Sequence, residues 1–148
     1  MATVLDVAEY ILQRHGAMST MKLQKLCYYA QAWHLVWDEQ PLFDEDFQAW
    51  ANGPVSRRLY DQHRGLYTVS PGSVGGDPSA LNDDQRDSVE IVLASYAKLR
   101  AFELSEMTHR EAPWREARGD TPPGAGSTAV IDKAIMREFY EGLLGSEQ

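Results

Sequence analysis

Residues 21–37 read MKLQKLCYYAQAWHLVW, and this stretch decides the fold class. Helical spacing brings one set of its side chains to a common face, namely Leu23, Leu26, Cys27, Ala30, His34 and Trp37. Tyr28, Tyr29 and Trp33 make other faces of the same helix apolar. A helix that is apolar on most sides is usually buried, so we predict that 21–37 forms the central helix of the domain.

Apolar residues recur at helical spacing along most of the chain. Thr3 with Asp6 and Asn82 with Gln85 are capping pairs, in which side chains at a helix start satisfy free backbone N–H groups. Pro54 is expected at the first position of another helix, where its missing N–H is no loss. The predicted helices cover about 4–15, 21–37, 54–63, 82–99, 103–109 and 113–118, and a last one follows Asp132 with Ile135, Phe139 and Leu143 on its inner face.

Other segments lack helical spacing. Apolar and polar residues alternate over 46–51, which predicts a short strand or extended segment, and Asn52-Gly53-Pro54 then forms a turn. Residues 65–80 are rich in Gly, Pro and Ser and are expected to form a surface loop, and 119–127 forms a second loop. We therefore predict a mostly α fold: a single compact domain over 1–148 with about six helices and at most a minor pair of short strands.

The composition limits the classes of partner. The chain has 22 acidic and 14 basic residues and a formal net charge of −8. Its largest basic group is Arg57-Arg58 with Arg64 nearby, and Asp61 lies about one helical turn from that pair, so we expect no nucleic-acid partner. No run approaches the roughly 18 apolar residues of a membrane span, and the N-terminus does not resemble a signal peptide. We expect no membrane association and a cytoplasmic location.

The sequence contains no self-contained catalytic group. Cys27 and His34 share a helix face, but seven residues separate their backbones by about 10 Å along the axis, too far for a direct hydrogen bond. The four histidines are scattered, without the helical spacing of a metal pair. We therefore expect no enzyme activity, no catalytic residue, no metal and no cofactor. A small hydrolase that uses Cys27 or His109 with a group from another helix is the least favoured alternative.

Large aromatic residues cluster around the central helix and the turn at 52–54. Such rigid side chains are enriched in recognition surfaces, although any one of them can instead belong to the core. Gly53 and Pro54 are expected to fix the turn, either to aim Trp50 and the following helix or simply to hold the fold. The predicted partner-binding residues are Tyr29, Trp33, Trp50, Asn52, Arg57 and Tyr60.

Several motifs in one order carry a resemblance to a known family. They are MKLQKLCYYAQAWHL at 21–35, PLF at 41–43, FQAWANGPV at 47–55 with Tyr60, Leu104-Ser105 through Thr108-His109, Pro113-Trp114 and Ile131-Asp132. Together they resemble the Panacea antitoxin domain, a family that includes SocA-like and phage-associated GepA-like proteins. The chain departs from the pattern at Cys27, where the family more often has an aliphatic residue, and 65–80 matches nothing familiar.

The resemblance implies a mostly helical antitoxin of a bacterial or phage two-gene module. Such an antitoxin neutralises, by direct contact, a protein toxin that a neighbouring gene encodes. An alternative is an adaptor that delivers a toxin to a AAA+ protease, as SocA-like members can do, and a phage or host accessory protein that binds another partner is a further alternative. We expect a groove walled by the central helix and residues 50–60 to receive the toxin. The identity of the toxin and the oligomeric state stay open.

Overall fold

One helix runs through the middle of the protein, as the sequence predicts. The computed structural model describes residues 2–146, and in it α2 (Thr20–Trp37) packs against helices on several sides and against a small hairpin. Twelve of its 18 residues are buried, so the core surrounds it. Ser19 caps α2, because its hydroxyl accepts a hydrogen bond from the backbone N–H of Lys22 at 3.1 Å.

The other described helices follow the predicted order. Capping boxes open α1 with Thr3 and Asp6, and α4 with Asn82 and Gln85, which confirms both predicted helix starts. The prediction of a mostly α fold is confirmed, with seven α-helices within residues 2–146. These are α1 (Val4–His15), α2, α3 (Arg57–His63), α4 (Asp83–Tyr96), α5 (Ala101–Arg110), α6 (Ala112–Arg118) and α7 (Lys133–Ser146).

Two short antiparallel strand pairs complete the described elements. β2 (Gln48–Trp50) pairs with β3 (Gly53–Val55), which confirms an extended segment within 46–51. The prediction that Pro54 begins a helix is wrong, because Pro54 lies in β3. Ser56 is the actual N-cap of α3, since its hydroxyl accepts a hydrogen bond from the N–H of Leu59.

The segment 65–80 is more than the predicted surface loop. Its β4 (Thr68–Val69) pairs with β1 (Met18–Ser19), and the side chains of Val69 and Val74 are buried in the core. Gly76 lies so close to α1 that an added Cβ would stand 1.9 Å from the carbonyl oxygen of Leu5. A short 3-10 helix (Pro78–Ala80) then leads to α4.

The inner face of α7 is one residue away from the predicted one. Met136 and Tyr140 are buried, whereas Leu143 is 36% exposed and Ile135 and Phe139 are only half-buried, so the predicted set is corrected. The reason is polar: the Tyr140 hydroxyl donates to the Glu111 carboxylate at 2.7 Å and lies 3.1 Å from the Tyr28 hydroxyl. These contacts fix the rotation of α7 against α2.

Candidate partner-binding cleft

A cleft of 540 Å³ opens between the start of α2, the β2–β3 hairpin and α3. The segment 126–128 forms its remaining wall. The sequence predicts a groove walled by the central helix and residues 50–60, and the segment 126–128 is a further wall. The lining residues are Thr20, Met21, Gln24, Lys25, Trp50, Ala51, Asn52, Val55, Tyr60, His63, Gly126, Ser127 and Thr128.

Trp50 is held rigidly in the hairpin wall. Its indole N–H donates to the Gln48 side-chain oxygen at 2.8 Å, and its carbonyl oxygen accepts from the indole N–H of Trp114, also at 2.8 Å. The Trp50 ring meets the Tyr60 ring edge-on, with centroids 4.9 Å apart. Aromatic groups fixed in this way lose little conformational entropy when they bind a partner.

Gln24 ties the start of α3 to α2. Its side-chain oxygen accepts from the Ser56 N–H at 2.8 Å, and its amide nitrogen donates to the Ser56 carbonyl oxygen at 3.2 Å. The same amide nitrogen lies 3.0 Å from Nε2 of His63, which must accept and therefore places the ring proton on Nδ1. Burial lowers the pKa of His63, and nearby Lys25 lowers it further, so the ring is neutral.

Lys25 lies at the floor of the cleft and is 1% exposed. Burial lowers the pKa of its ammonium to about 7. None of the hydrogen bonds or ion pairs found within residues 2–146 involves this ammonium. Gly53 covers the Lys25 stem at φ +122°, and a Cβ there would stand 2.6 Å from Lys25 Cε. A glycine is therefore required by both the backbone conformation and the space.

Arg118 holds the loop behind the fourth wall. Its buried guanidinium donates to the carbonyl oxygens of Ala49 at 2.9 Å, Pro122 at 3.0 Å and Ala125 at 2.6 Å. It also lies over the Trp114 ring, 4.8 Å from the centroid. One side chain thus connects β2 with the segment 119–127, whose position beside the cleft depends on it.

The structure brings some of the predicted partner-binding residues together and separates others. Trp50, Asn52 and Tyr60 line the cleft. Arg57 is not one of the lining residues, but its guanidinium lies 5.8 Å from the Tyr60 ring centroid. The prediction that Tyr29 binds a partner is corrected, because Tyr29 is fully buried, stacks on Tyr96 and is part of the core. Trp33 lies further along α2 in a different groove, beside Trp37.

Comparison with known proteins identifies the family. The family model described as "Antitoxin SocA-like, Panacea domain" matches residues 23–115, well over half of the chain. The chain belongs to this antitoxin family. It is also 26% identical to Antitoxin SocA of Caulobacter vibrioides (strain NA1000 / CB15N) over 150 aligned positions, which cover 90% of this chain and 80% of that protein. No solved structure gives a significant match.

The match to the Panacea domain covers most of the cleft. It spans α2 from Leu23 onward, the hairpin and α3, whereas the wall at 126–128 lies outside the matched residues. Within residues 2–146, no helix has the length and apolar character needed to cross a bilayer. The same residues contain no cluster of three or more His, Cys, Asp or Glu side chains arranged for a metal ion.

The Cys27 thiol and the His34 imidazole of this Panacea domain are buried in its core. Cys27 is fully buried, and burial raises the pKa of its thiol. His34 Nδ1 lies 2.8 Å from the Ser88 hydroxyl, and its Nε2 lies 3.7 Å from the Asp38 carboxylate. These residue types match a hydrolase triad, but the Ser88 side chain is buried and does not meet a substrate from solvent. The family match indicates a non-enzymatic role.

Sequence reasoning did not single out Gln24, Lys25 and His63 as site residues. Gln24 and Lys25 are polar positions of a helix whose pattern is otherwise apolar, and such positions normally face solvent. Only the packing of the hairpin and α3 over α2 turns them inward. One sequence signal pointed to Gln24 and Lys25. The helix 21–37 is apolar on most sides and is therefore expected to be buried all round, so its polar residues are buried too.

Proposed function

We propose that this protein is an antitoxin that neutralises, by direct contact, a protein toxin encoded by a neighbouring gene. The supporting observation is the cleft: preformed, walled by the fixed rings of Trp50 and Tyr60, and built from the elements that match the antitoxin family. Apolar clefts with rigid aromatic walls are the usual form of a recognition site. A segment of the toxin that enters the cleft is held away from its own target.

The surface charges support a protein partner over a nucleic acid. Arg57 forms an ion pair with Asp61 at 3.2 Å, and Arg58 pairs with Glu45, so the main basic cluster is already neutralised. Phosphate binding requires free cations in clusters, and the net charge of −8 opposes it. We propose that the protein acts in the cytoplasm, without nucleic acid, membrane or cofactor.

A co-expression assay tests this function. The gene adjacent to this one is induced in a bacterial host with and without the protein, and growth is followed. Rescue of a toxic neighbour supports the antitoxin function. A neighbour that is harmless, or whose toxicity persists, overturns it and favours an accessory protein that binds another partner.

A pull-down from the rescued cells separates two ways of neutralising. A stable complex in which the toxin level is unchanged indicates blockade of the toxin by the cleft. Loss of the toxin, restored when the AAA+ proteases of the host are inactivated, indicates delivery to a protease instead. The blockade mechanism predicts that rescue persists without those proteases.

A further inference from the structure

We propose that the cleft binds a carboxylate of the partner protein, which forms an ion pair with the Lys25 ammonium at the cleft floor. This inference rests on the proposed function, because the partner is taken to be the protein that the cleft receives. It specifies the group that the cleft recognises, namely an acidic side chain or a chain-terminal carboxylate that has an apolar neighbour.

The Lys25 side chain is cationic and almost fully buried. A buried charge is strongly unfavourable unless an opposite charge or several hydrogen bonds compensate for it. Lys25 is 1% exposed, yet within residues 2–146 its ammonium has neither an ion pair nor a hydrogen bond. It does line an open cleft, so a group entering from outside can reach it.

The surroundings of Lys25 lack negative charge. None of the residues that line the cleft is acidic, although the chain has 22 Asp and Glu residues. The titratable neighbours are His63 of α3 and His109 of α5; burial lowers the pKa of both imidazoles, and the positive charge of Lys25 lowers each further. The Thr108 hydroxyl, near Gly53, donates to the Ser105 carbonyl oxygen at 2.7 Å. The floor is therefore locally positive in a strongly acidic protein.

The form of the cleft favours a carboxylate over a phosphate. One ammonium balances one negative charge, whereas phosphate groups are usually held by several cations or backbone N–H groups. The walls beside Lys25 are largely apolar, with Met21, Val55 and the rings of Trp50 and Tyr60. In a bound peptide segment, Lys25 would contact the acidic residue and these apolar walls would contact its apolar neighbour. The site thus has a charged and an apolar part.

The position of Lys25 is fixed before any partner arrives. The hairpin residue Gly53 packs directly on its stem, and Gln24 holds both ends of α3 through hydrogen bonds to Ser56 and His63. A preorganised charge binds its partner with little loss of conformational entropy. A carboxylate in the cleft also relieves the desolvation of the ammonium, so binding stabilises the folded protein.

The inference is tested on the free protein with phenylacetate, which combines a carboxylate with an aromatic ring. Its neutral counterpart is phenylacetamide. Backbone amide shifts in ¹H–¹⁵N spectra are followed at pH 6.5 while each compound is added. We expect saturable shifts at the cleft residues with phenylacetate and at least tenfold weaker binding of phenylacetamide. Equal binding of the two compounds, or no binding of phenylacetate, would overturn the inference.

Two variants assign the effect to Lys25. Lys25→Met is expected to weaken phenylacetate binding at least tenfold and to leave phenylacetamide binding unchanged. Lys22→Met is the matched control, because Lys22 lies on the same helix but its ammonium donates to the Ala97 carbonyl oxygen away from the cleft; it should bind both compounds as the unaltered protein does. Undiminished phenylacetate binding by a folded Lys25→Met protein contradicts the ion pair. If that variant does not fold, the acid–amide comparison alone decides.

Further arms separate this inference from the proposed function. Inorganic phosphate is added in place of phenylacetate, and binding of phosphate alone overturns the choice of a carboxylate. No toxin is present in these titrations, so their outcome is independent of the growth assay. A protein that rescues growth but does not prefer phenylacetate retains the antitoxin function and loses the carboxylate site. A protein that prefers phenylacetate but fails to rescue growth loses the antitoxin function instead.

Discussion

At the scale of a single residue, burial of the Lys25 ammonium destabilises the free folded protein, whereas the proposed carboxylate site depends on the same ammonium. Burial lowers the pKa of its ammonium to about 7, whereas an unfolded chain keeps the usual lysine value of about 10.4. Between these values the unfolded chain binds more protons than the folded protein, so stability rises with pH in that window. Below about pH 7 the ammonium is charged in both states, and the full desolvation penalty acts on the folded protein.

Lys25→Met is therefore expected to stabilise the protein. At pH 6 we expect its free energy of unfolding to exceed that of the unaltered protein by at least about 1 kcal/mol, because a buried unpaired charge is replaced by an apolar chain. The difference should shrink between pH 7 and pH 10. Urea denaturation at pH 6, 8 and 10 measures it, with exposed Lys98→Met as the control. A Lys25→Met protein that is less stable at pH 6 contradicts this account of the cleft floor.

Gly53→Ala is expected to have the opposite effect. The backbone at φ +122° disfavours a side chain, and the new Cβ would collide with the Lys25 stem. Such strain destabilises by about 1–3 kcal/mol, which thermal unfolding will show as a lower Tm. Gly142→Ala is the matched control, since an added Cβ there meets nothing within 4 Å in α7. Equal Tm values for the two variants would show that Gly53 is not constrained.

At the level of elements, α7 is docked through a half-buried carboxylate, that of Glu111. The hydroxyls of Tyr29 and Tyr140 both donate to Oε1 of Glu111, at 2.8 and 2.7 Å. Desolvation raises the pKa of Glu111 despite these hydrogen bonds. The folded protein therefore binds this proton more tightly than the unfolded chain, and stability falls as pH rises from about 4.3 through the raised pKa.

Glu111→Gln is expected to remove this fall in stability with rising pH. The glutamine oxygen can still accept from both tyrosines, but no charge is desolvated at neutral pH. We expect the variant to be at least as stable as the unaltered protein at pH 7, with a smaller advantage at pH 4. Guanidinium denaturation at both pH values measures this. Loss of more than about 1 kcal/mol at pH 7 would instead mean that the carboxylate charge stabilises the docking of α7.

The loop 119–127 depends on Arg118 in a similar way. Arg118→Ala leaves the carbonyl oxygen of buried Ala49 without its donor, which destabilises by about 1–3 kcal/mol, and it removes the donor to the more exposed carbonyl oxygens of Pro122 and Ala125. We expect faster hydrogen exchange over 119–130, measured by mass spectrometry, and a less ordered cleft wall. The exposed neighbour Arg115→Ala serves as the control. Exchange that is equally slow in both variants would show that the loop is held by other contacts.

Local signals explain which elements the sequence could predict. The apolar pattern of 21–37 and the capping pairs Thr3–Asp6 and Asn82–Gln85 each lie within one helix, so they needed no tertiary information. The β1–β4 pair joins two-residue strands about 50 residues apart, and only long-range packing creates it. Pro54 suited a helix start locally, but the hairpin register placed it opposite Ala49 in β3.

The same limits apply to the candidate cleft. The stretch from Trp50 to Tyr60 was predicted as a wall because aromatic residues surround a turn, which is visible in the sequence. The floor was not predicted, because the burial of Lys25 depends on how the hairpin and α3 lie over α2. Tyr29 and Trp33, only four residues apart on one helix, end in the core and in another groove. Aromatic composition alone could not separate them from the cleft residues.

At the scale of the whole molecule, an acidic protein carries a cleft whose floor is locally positive. The net charge of −8 repels acidic partners at long range. A partner that is basic overall but presents one acidic residue to the cleft satisfies both features. Its association should slow as salt is raised, since long-range attraction is screened over about 10 Å at 0.1 M. Stopped-flow binding of the purified partner at 50 and 500 mM salt measures this, and a salt-independent on-rate would contradict it.

The central claim is that the cleft is the surface that neutralises a toxin. It is tested most directly by inducing the adjacent gene together with either the unaltered protein or the Trp50→Ala, Arg57→Glu double variant, and measuring growth. Circular dichroism checks that the helical content of the variant is unchanged, and Trp37→Ala, outside the cleft, is the matched control. We predict rescue by the unaltered protein and by Trp37→Ala, and none by the double variant. Full rescue by a folded double variant would contradict the claim.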